Sequence, residues 1–216
     1  MNSIRISAVA ITAAGLFLSA CQSAPFMNRD NSAGRPTVYQ DVRSADKKVQ
    51  GVGIQSNDIA AMTDKMMRDM LANPMLAGRM PPPRIIVDSE YFTNESSTRV
   101  DKNLITNRLR VDLTRAANGR MIFVARNRSN MVAKERELKR DGQVDGGTIR
   151  TTRAQAGADY RLAGSINSLD ALDPSTGTMQ RYQQITFEMI DLELGTIVWS
   201  GIYEFEKTGQ NDIIYR

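Results

Sequence analysis

An α+β fold, a mixed or antiparallel sheet with helices packed on it, is predicted by three features of the sequence. Two stretches in the first half repeat their apolar residues at helical spacing, one rich in methionine and one rich in arginine. Each leads into a short apolar run fit for a strand, Arg84 to Asp88 and Met121 to Val124. The last third alternates apolar and polar residues through three runs separated by turn residues, which reads as a three-strand meander.

The elements follow in order. Ser56 or Asp58 caps the first helix, whose Ile59, Met62, Met66, Met67 and Met70 share one stripe. Asn73-Pro74 ends it, because a residue before proline is pushed out of helical geometry. The stripe reads as a buried helix face rather than an adaptable methionine-lined groove. Beyond Pro81-Pro82-Pro83 come the first strand, a polar loop at Asn94 to Thr98, and a second helix from about Asp101 to Ala117. Leu104, Ile105, Leu109 and Leu113 take one side of that helix, and Arg108, Arg110 and Arg115 mostly the other. Asn118-Gly119 stops it, and Met121 to Val124 reads as a short buried strand.

A third helix, Ser129 to Arg140, is charged on most sides, with Glu135 and Lys139 spaced to pair across one turn. The loop from Asp141 to Gly147 holds three glycines but lacks the lysine and hydroxyl pattern of a phosphate loop, and it follows no strand. It reads as a flexible connector. The meander strands are Tyr160 to Leu169, Arg181 to Leu192 and Thr196 to Phe205, with turns at Asp173 to Gly177 and Glu193-Leu194-Gly195. Ile185, Phe187 and Met189 share one face, as do Trp199, Tyr203 and Phe205 with Gly201 between them. No internal repeat is present.

Residues 1–20 read as a lipoprotein signal peptide. Arg5 supplies the positive start, and Ile6 to Leu18 form an uncharged apolar run too short to serve as a comfortable membrane span. The run ends in Leu18-Ser19-Ala20-Cys21, the pattern of a lipobox: small residues fit a peptidase cleft, and the thiol of Cys21 takes a diacylglycerol. Acylation of the new amino terminus adds a further chain, which makes anchoring stable. Gln22 rather than aspartate follows, which favours the outer membrane over retention at the inner one. Residues 21–50 are polar and without period, so they read as a flexible tether, and residues 51–216 as the globular domain. About 29 tether residues span at most roughly 100 Å when extended and about 30 Å as a coil.

Composition narrows the chemistry. The chain has no histidine and one cysteine, which excludes histidine acid–base catalysis, histidine-containing triads, the usual zinc sites and internal disulfides. No calcium loop or dinucleotide fingerprint is present, so neither metal nor cofactor is expected. Ser89 and Ser200 have no base to activate them, and Asp88 and Glu90 lie near a strand end with no second acid placed opposite. The net charge of +4 is modest and spread out, which is no nucleic-acid signature. Arg108, Arg110, Arg115, Arg120, Arg126 and Arg128 cluster in sequence, and among them Arg110, Arg115 and Arg120 are the candidate binding residues. An anionic polymer or surface (peptidoglycan or lipid) and an acidic protein face are the partner classes they permit; a solvated face with no partner stands beside both. The sequence points to a binding or regulatory protein, not an enzyme.

Several segments resemble the penicillin-binding-protein activator LpoB family of outer-membrane lipoproteins. They are Ile85-Ile86-Val87-Asp88-Ser89, Asn118-Gly119-Arg120, Gly157-Ala158-Asp159-Tyr160-Arg161-Leu162, and Asp191-Leu192-Glu193-Leu194-Gly195-Thr196-Ile197-Val198-Trp199-Ser200-Gly201. They lie in order between roughly Arg84 and Phe205; curli-secretion-type lipoproteins share the fold and similar strand endings. The resemblance implies a non-enzymatic role: from the outer membrane, across the peptidoglycan, the protein would contact a class A penicillin-binding protein and stimulate its synthesis of cell wall. The best-known members carry a long proline-rich tether, whereas this tether is short, so the partner's docking domain would have to project further. The alternative class is a lipoprotein subunit of an envelope assembly, such as a secretion or flagellar component.

The lipobox makes a direct prediction. Cys21→Ala abolishes palmitate incorporation and leaves an uncleaved or soluble periplasmic form; unchanged labelling of the variant would remove the lipoprotein reading.

Overall fold

The computed structural model describes residues 41–42, 51–152 and 154–210. The signal peptide, Cys21 and nearly all of the tether lie outside the described residues.

Helix α1, Ser56–Ala72, starts at Gln55, whose backbone N–H donates to Asp58 Oδ2 at 2.8 Å. Asp58 therefore acts from inside the first turn, and Gln55 rather than Ser56 occupies the cap. Asn73 ends the helix in extended geometry and caps the short α2, Pro74–Ala77, by accepting from the Met75 N–H. Strand β1, Arg84–Ile86, and strand β2, Phe92–Asn94, follow. Helix α3, Lys102–Ala116, is capped by Asp101, which accepts from the Asn103 N–H at 2.9 Å. Positive φ at Asn118 and Gly119 turns the chain away from its end. Strand β3, Ile122–Phe123, leads through a three-ten turn, Arg126–Arg128, into α4, Ser129–Arg140. Three strands of fourteen residues each complete the fold: β4, Tyr160–Asp173; β5, Thr178–Asp191; β6, Ile197–Gln210.

These strands form one mixed sheet in the order β3-β1-β4-β5-β6, with β2 also paired to β4. β1 runs parallel to both β3 and β4, β2 runs parallel to β4, and the meander β4-β5-β6 is antiparallel. This is the α+β architecture expected, including its C-terminal meander. Helices α1 and α3 pack on one face of the sheet. Met62, Met66 and Met70 of α1 and Ile105, Leu109 and Leu113 of α3 are buried against Leu162, Ile166, Ile185, Phe187 and Met189. Among the described residues no helix is long and apolar enough to cross a membrane.

Close packing depends on two glycines. A Cβ at Gly164 would meet the Thr186 carbonyl oxygen and come within 2.6 Å of the Phe92 ring. A Cβ at Gly201 would sit 2.7 Å from both Met66 Sδ and the Trp199 ring. Trp199 is 6% exposed and its indole N–H donates to Asp69 Oδ2 at 3.2 Å.

Some details differ from the sequence-based expectation. Leu104 is 60% exposed, because the buried face of α3 is centred on Ile105, Thr106, Leu109 and Leu113. Thr106 can sit inside because its hydroxyl donates to the Lys102 carbonyl oxygen. The run expected as a buried strand at Met121 to Val124 is a two-residue strand at the sheet edge, where Ile122 is exposed and Met121 alone is buried. β2 was not anticipated, and the meander strands extend past the core, so that Leu169 and Leu172 are exposed.

Two substitutions measure this packing. Trp199→Ala costs about 3–5 kcal/mol, as for other buried aromatic residues, whereas Leu104→Ser changes stability by less than about 0.5 kcal/mol. Denaturant unfolding followed by circular dichroism checks both, since removing the chain's one tryptophan removes its fluorescence probe. Equal losses would mean that neither face is placed correctly.

Candidate functional site

The described residues hold three charged clusters, and in one of them cations outnumber the carboxylates paired with them. The first lies where β1 runs out beside the start of β4. The Arg161 guanidinium reaches both Asp88 oxygens at 3.0 Å and also bonds Glu90. It lies 4.5 Å above the Tyr91 ring. Burial alone would lower the Arg161 pKa, but the hydrogen bonds to Asp88 and Glu90 outweigh it and raise the pKa above the ordinary arginine value. Asp88 and Glu90 thus gain a shared cation rather than a second acid. The arrangement fastens β1 to β4 and offers no proton donor for acid–base work.

A second cluster ties the far end of the meander to the chain entering α1. Arg181 binds Asp170 through two bonds of 2.6 and 2.7 Å, and Ser97 donates to the same carboxylate at 2.8 Å. The Arg181 bonds hold the Asp170 carboxyl below the usual aspartate range, against the opposing effect of burial. Lys207 bonds Asp58 and the Gly53 carbonyl oxygen, and Gln183 donates to the Val52 carbonyl oxygen at 3.0 Å. All of these side chains serve to join segments.

The arginines singled out from the sequence are dispersed by the fold. Arg108 turns inward, its Nε donating to Thr63 Oγ1 at 3.0 Å and lying 3.7 Å from Asp112. Arg110 and Arg115 leave α3 about 140° apart, as their five-residue spacing dictates. Arg110 bonds Asn107, while Arg115 lines an open crevice between α1 and α3 with Asp64, Met67, Arg68 and Asp112. Arg120 follows the helix and its Nε donates to the Ala117 carbonyl oxygen. Arg126 donates to the Ala156 carbonyl oxygen at 3.1 Å. Cys21 lies outside the described residues.

The third cluster is formed by α4 and the segment returning from it. No residue of α4 is buried. Arg136 donates to the carbonyl oxygens of Thr152 at 2.7 Å and Ala154 at 2.9 Å, and Arg140 to those of Thr152 and Arg136. Lys139 reaches Thr148 Oγ1 at 2.8 Å and Glu135 at 3.5 Å, and Gln155 donates to the Ser129 carbonyl oxygen. Arg136, Lys139, Arg140, Thr148, Ile149 and Arg150 line a cleft of about 150 Å³ between helix and return segment. The Glu135–Lys139 pair matches its expected spacing. The glycine loop, expected as a flexible connector, leads into the strand of chain that closes this cleft. The signal for it was present in part: Arg136, Lys139 and Arg140 recur at helical spacing, but nothing in 148–152 announces the returning wall.

No group of three or more aspartate, glutamate, cysteine or histidine residues able to hold a metal ion occurs among the described residues.

A family model described as the peptidoglycan-synthase activator LpoB matches residues 58–205. No curated protein sequence matches this chain. Among solved structures, the chain is similar to the LpoB C-terminal domain from Salmonella enterica, at 19% identity over 71% of this chain and 99% of that one, with a TM-score of 0.38. It is also similar to the lipoprotein GNA1162 from Neisseria meningitidis, at 17% identity over 61% of this chain and 88% of that one, with a TM-score of 0.33. A PelC dodecamer from Paraburkholderia phytofirmans matches at 19% identity over 60% of this chain and 72% of that one, with a TM-score of 0.27.

The Arg161 cluster separates its two carboxylates energetically. The Asp88 side chain is 10% exposed, and Asp88→Ala leaves a nearly buried guanidinium short of its main partner, at a cost of about 3 kcal/mol. The Glu90 side chain is 61% exposed. Glu90→Ala therefore costs less than about 1 kcal/mol. Urea midpoints of the two variants check the order, and a reversed order contradicts this account of the cluster.

Proposed function

Because this chain belongs to the LpoB family of peptidoglycan-synthase activators, we propose that it is a lipoprotein, anchored through Cys21 in the outer membrane and facing the periplasm, that binds a class A penicillin-binding protein and raises its activity. The observation carrying this reading is the extent of the family match, which runs from the first turn of α1 into β6 and so takes in every packed element of the domain. The buried charges support it: they join segments of the fold and converge on no reactive centre. The protein acts by contact and performs no bond-making or bond-breaking chemistry of its own.

The tether sets a geometric condition. A coil reaching about 30 Å keeps the domain close to its anchor, so the synthase must extend a domain outward to meet it. Arg110, Arg115 and Arg120 are exposed or half-exposed on and just after α3 and contribute positive charge toward an acidic face of that partner. Peptidoglycan, whose peptide carboxylates fill the same space, is a second anionic contact for these residues.

Polymerisation of lipid II by each class A synthase of the same cell tests the reading, with and without the chain beginning at Gln22. At least one synthase polymerises faster when the chain is present, and the chain alone shows no hydrolytic or transfer activity. Arg110→Glu with Arg115→Glu slows association by about tenfold at low salt and weakens its salt dependence. If no synthase responds and the chain elutes as a closed oligomer, the envelope-assembly role takes the place of activation.

A further inference from the structure

We propose that α4 and its return segment form a membrane-contact surface that docks on an anionic phospholipid bilayer, with a lipid phosphate seated in the cleft between Arg136, Lys139, Arg140 and Arg150. The proposal rests on the reading above only in placing the domain beside a membrane.

The cleft is held ready for an anion. Backbone carbonyls at Thr152, Ala154 and Arg136 fix the guanidinium groups of Arg136 and Arg140 in place without neutralising them. Each guanidinium keeps further N–H donors for a ligand. Arg136, Lys139, Arg140 and Arg150 line the cleft, and of these Lys139 also lies 3.5 Å from Glu135. A bland account exists, since cations in the last turn of a helix complement its dipole. That dipole amounts to about half a charge, and it falls off within the last turn. Arg150 is not on the helix at all, so the helix dipole does not account for its place in the cleft.

Apolar surface adjoins the charge. Met131, Val132 and Leu138 line an open groove along α4 that shares Arg136 and Lys139 with the cleft. Met131 is 66% exposed and Val132 37%. Val144 and Ile149, on the loop and return segment, are exposed as well. A helix that exposes Met131 and Val132 among the cations Arg136 and Lys139, with the return segment bonded to it, offers apolar and cationic contacts together, as helices at a bilayer interface do. An acidic polypeptide would share the charge complementarity, but a docked partner helix needs a concave apolar groove with walls to receive its anchors. Here the apolar residues stand on an open helix surface without opposing walls. A phosphate in the cleft with an acyl region beside it uses both halves of the surface at once.

Flotation of the chain beginning at Gln22, which lacks both leader and acyl group, tests this against two vesicle types. One contains phosphatidylglycerol mixed with phosphatidylcholine, the other phosphatidylcholine alone. Binding to the anionic vesicles exceeds binding to the neutral ones by at least about tenfold and weakens as salt is raised. Lys139→Glu with Arg150→Glu removes that preference. Met131→Ser with Val132→Ser lowers anionic binding several-fold while leaving its salt dependence in place. All four positions lack buried side chains, and Trp199 fluorescence verifies that each variant remains folded. Equal binding to both vesicle types overturns the proposal, as does anionic binding indifferent to the charge reversals. Retention on soluble polyglutamate without vesicle binding assigns the surface to acidic polypeptide and overturns it too. Stimulation of a synthase in detergent solution, where no bilayer exists, is measured on the same wild-type chain. That result stands or falls without reference to the vesicles.

Discussion

Across the middle of the sheet a row of residues alternates large and small: Phe92 of β2 beside Gly164 of β4, then Phe187 of β5, then Gly201 of β6, each in register with the next. Phe187 is wholly buried, and its neighbours on both sides in the sheet are glycines. The Phe92 ring leans over Gly164 to lie 5.3 Å from the Phe187 ring, while Met66 of α1 and the Trp199 ring fill the space above Gly201. Helix α1 can approach the sheet where glycine leaves a depression, and its methionines are long and unbranched enough to fill it. The register of three strand pairings and the seat of α1 thus depend on one another. A shift of one residue in any pairing would put a side chain into the space that Phe92, Met66 and Trp199 occupy over the glycines.

Around that row, polar side chains decide how the remaining segments are held. Asp69 receives the Trp199 indole N–H, Lys207 draws Asp58 and Gly53 onto the end of β6, and Arg161 joins β1 to β4 through Asp88. Groups that are costly to bury find partners far away in sequence, so each one fixes a long-range contact. Such groups resemble catalytic residues in type and burial, but their hydrogen bonds join segments of the fold, even though Arg161 Nε, Arg181 Nη1 and Gln183 Oε1 are buried without a partner. A molecule built this way carries its interactive chemistry on its outer surface, where cations remain unneutralised.

Much of the fold was legible in the sequence because it is written in local chemistry. Asp101, Asn73-Pro74 and Asn118-Gly119 mark helix ends by capping, by steric exclusion and by positive φ, none of which needs tertiary context. The bounds of α4 also agree with the sequence reading, although its start carries no side-chain cap and only its end is marked, by positive φ at Gly142. Strand β2 was not, since three residues give no measurable alternation and its partner lies some seventy positions later in the chain. β5 begins at Thr178 rather than at Arg181, and the burial of Arg181 and Gln183 was not readable, since they occupy inward positions that a pattern search reserves for apolar residues. Their burial depends on Asp170 and Val52, and sequence spacing cannot reveal those partners. The spatial arrangement of the arginine cluster was unreadable for a related reason: neighbours in sequence on a helix diverge in space, and Arg108 turns inward to Thr63 of another helix.

The charge of the molecule follows from the same division. A net charge of +4 over 216 residues is small, and the inward-facing charges cannot be its source, because Arg161, Arg181, Lys207 and Arg108 each lie beside a carboxylate. The excess lies outside the described residues, which hold 20 lysines and arginines against 21 aspartates and glutamates, so positive charge on the domain is local, and its field reaches only about 8–10 Å at physiological ionic strength. A field of that range acts only between surfaces already close together, and there it selects orientation. The cleft beside α4 differs from scattered surface charge in one physical respect. Its guanidinium groups are held by backbone carbonyls, so an arriving anion need not order flexible side chains, and the entropic cost that makes most exposed ion pairs nearly worthless is largely removed in advance.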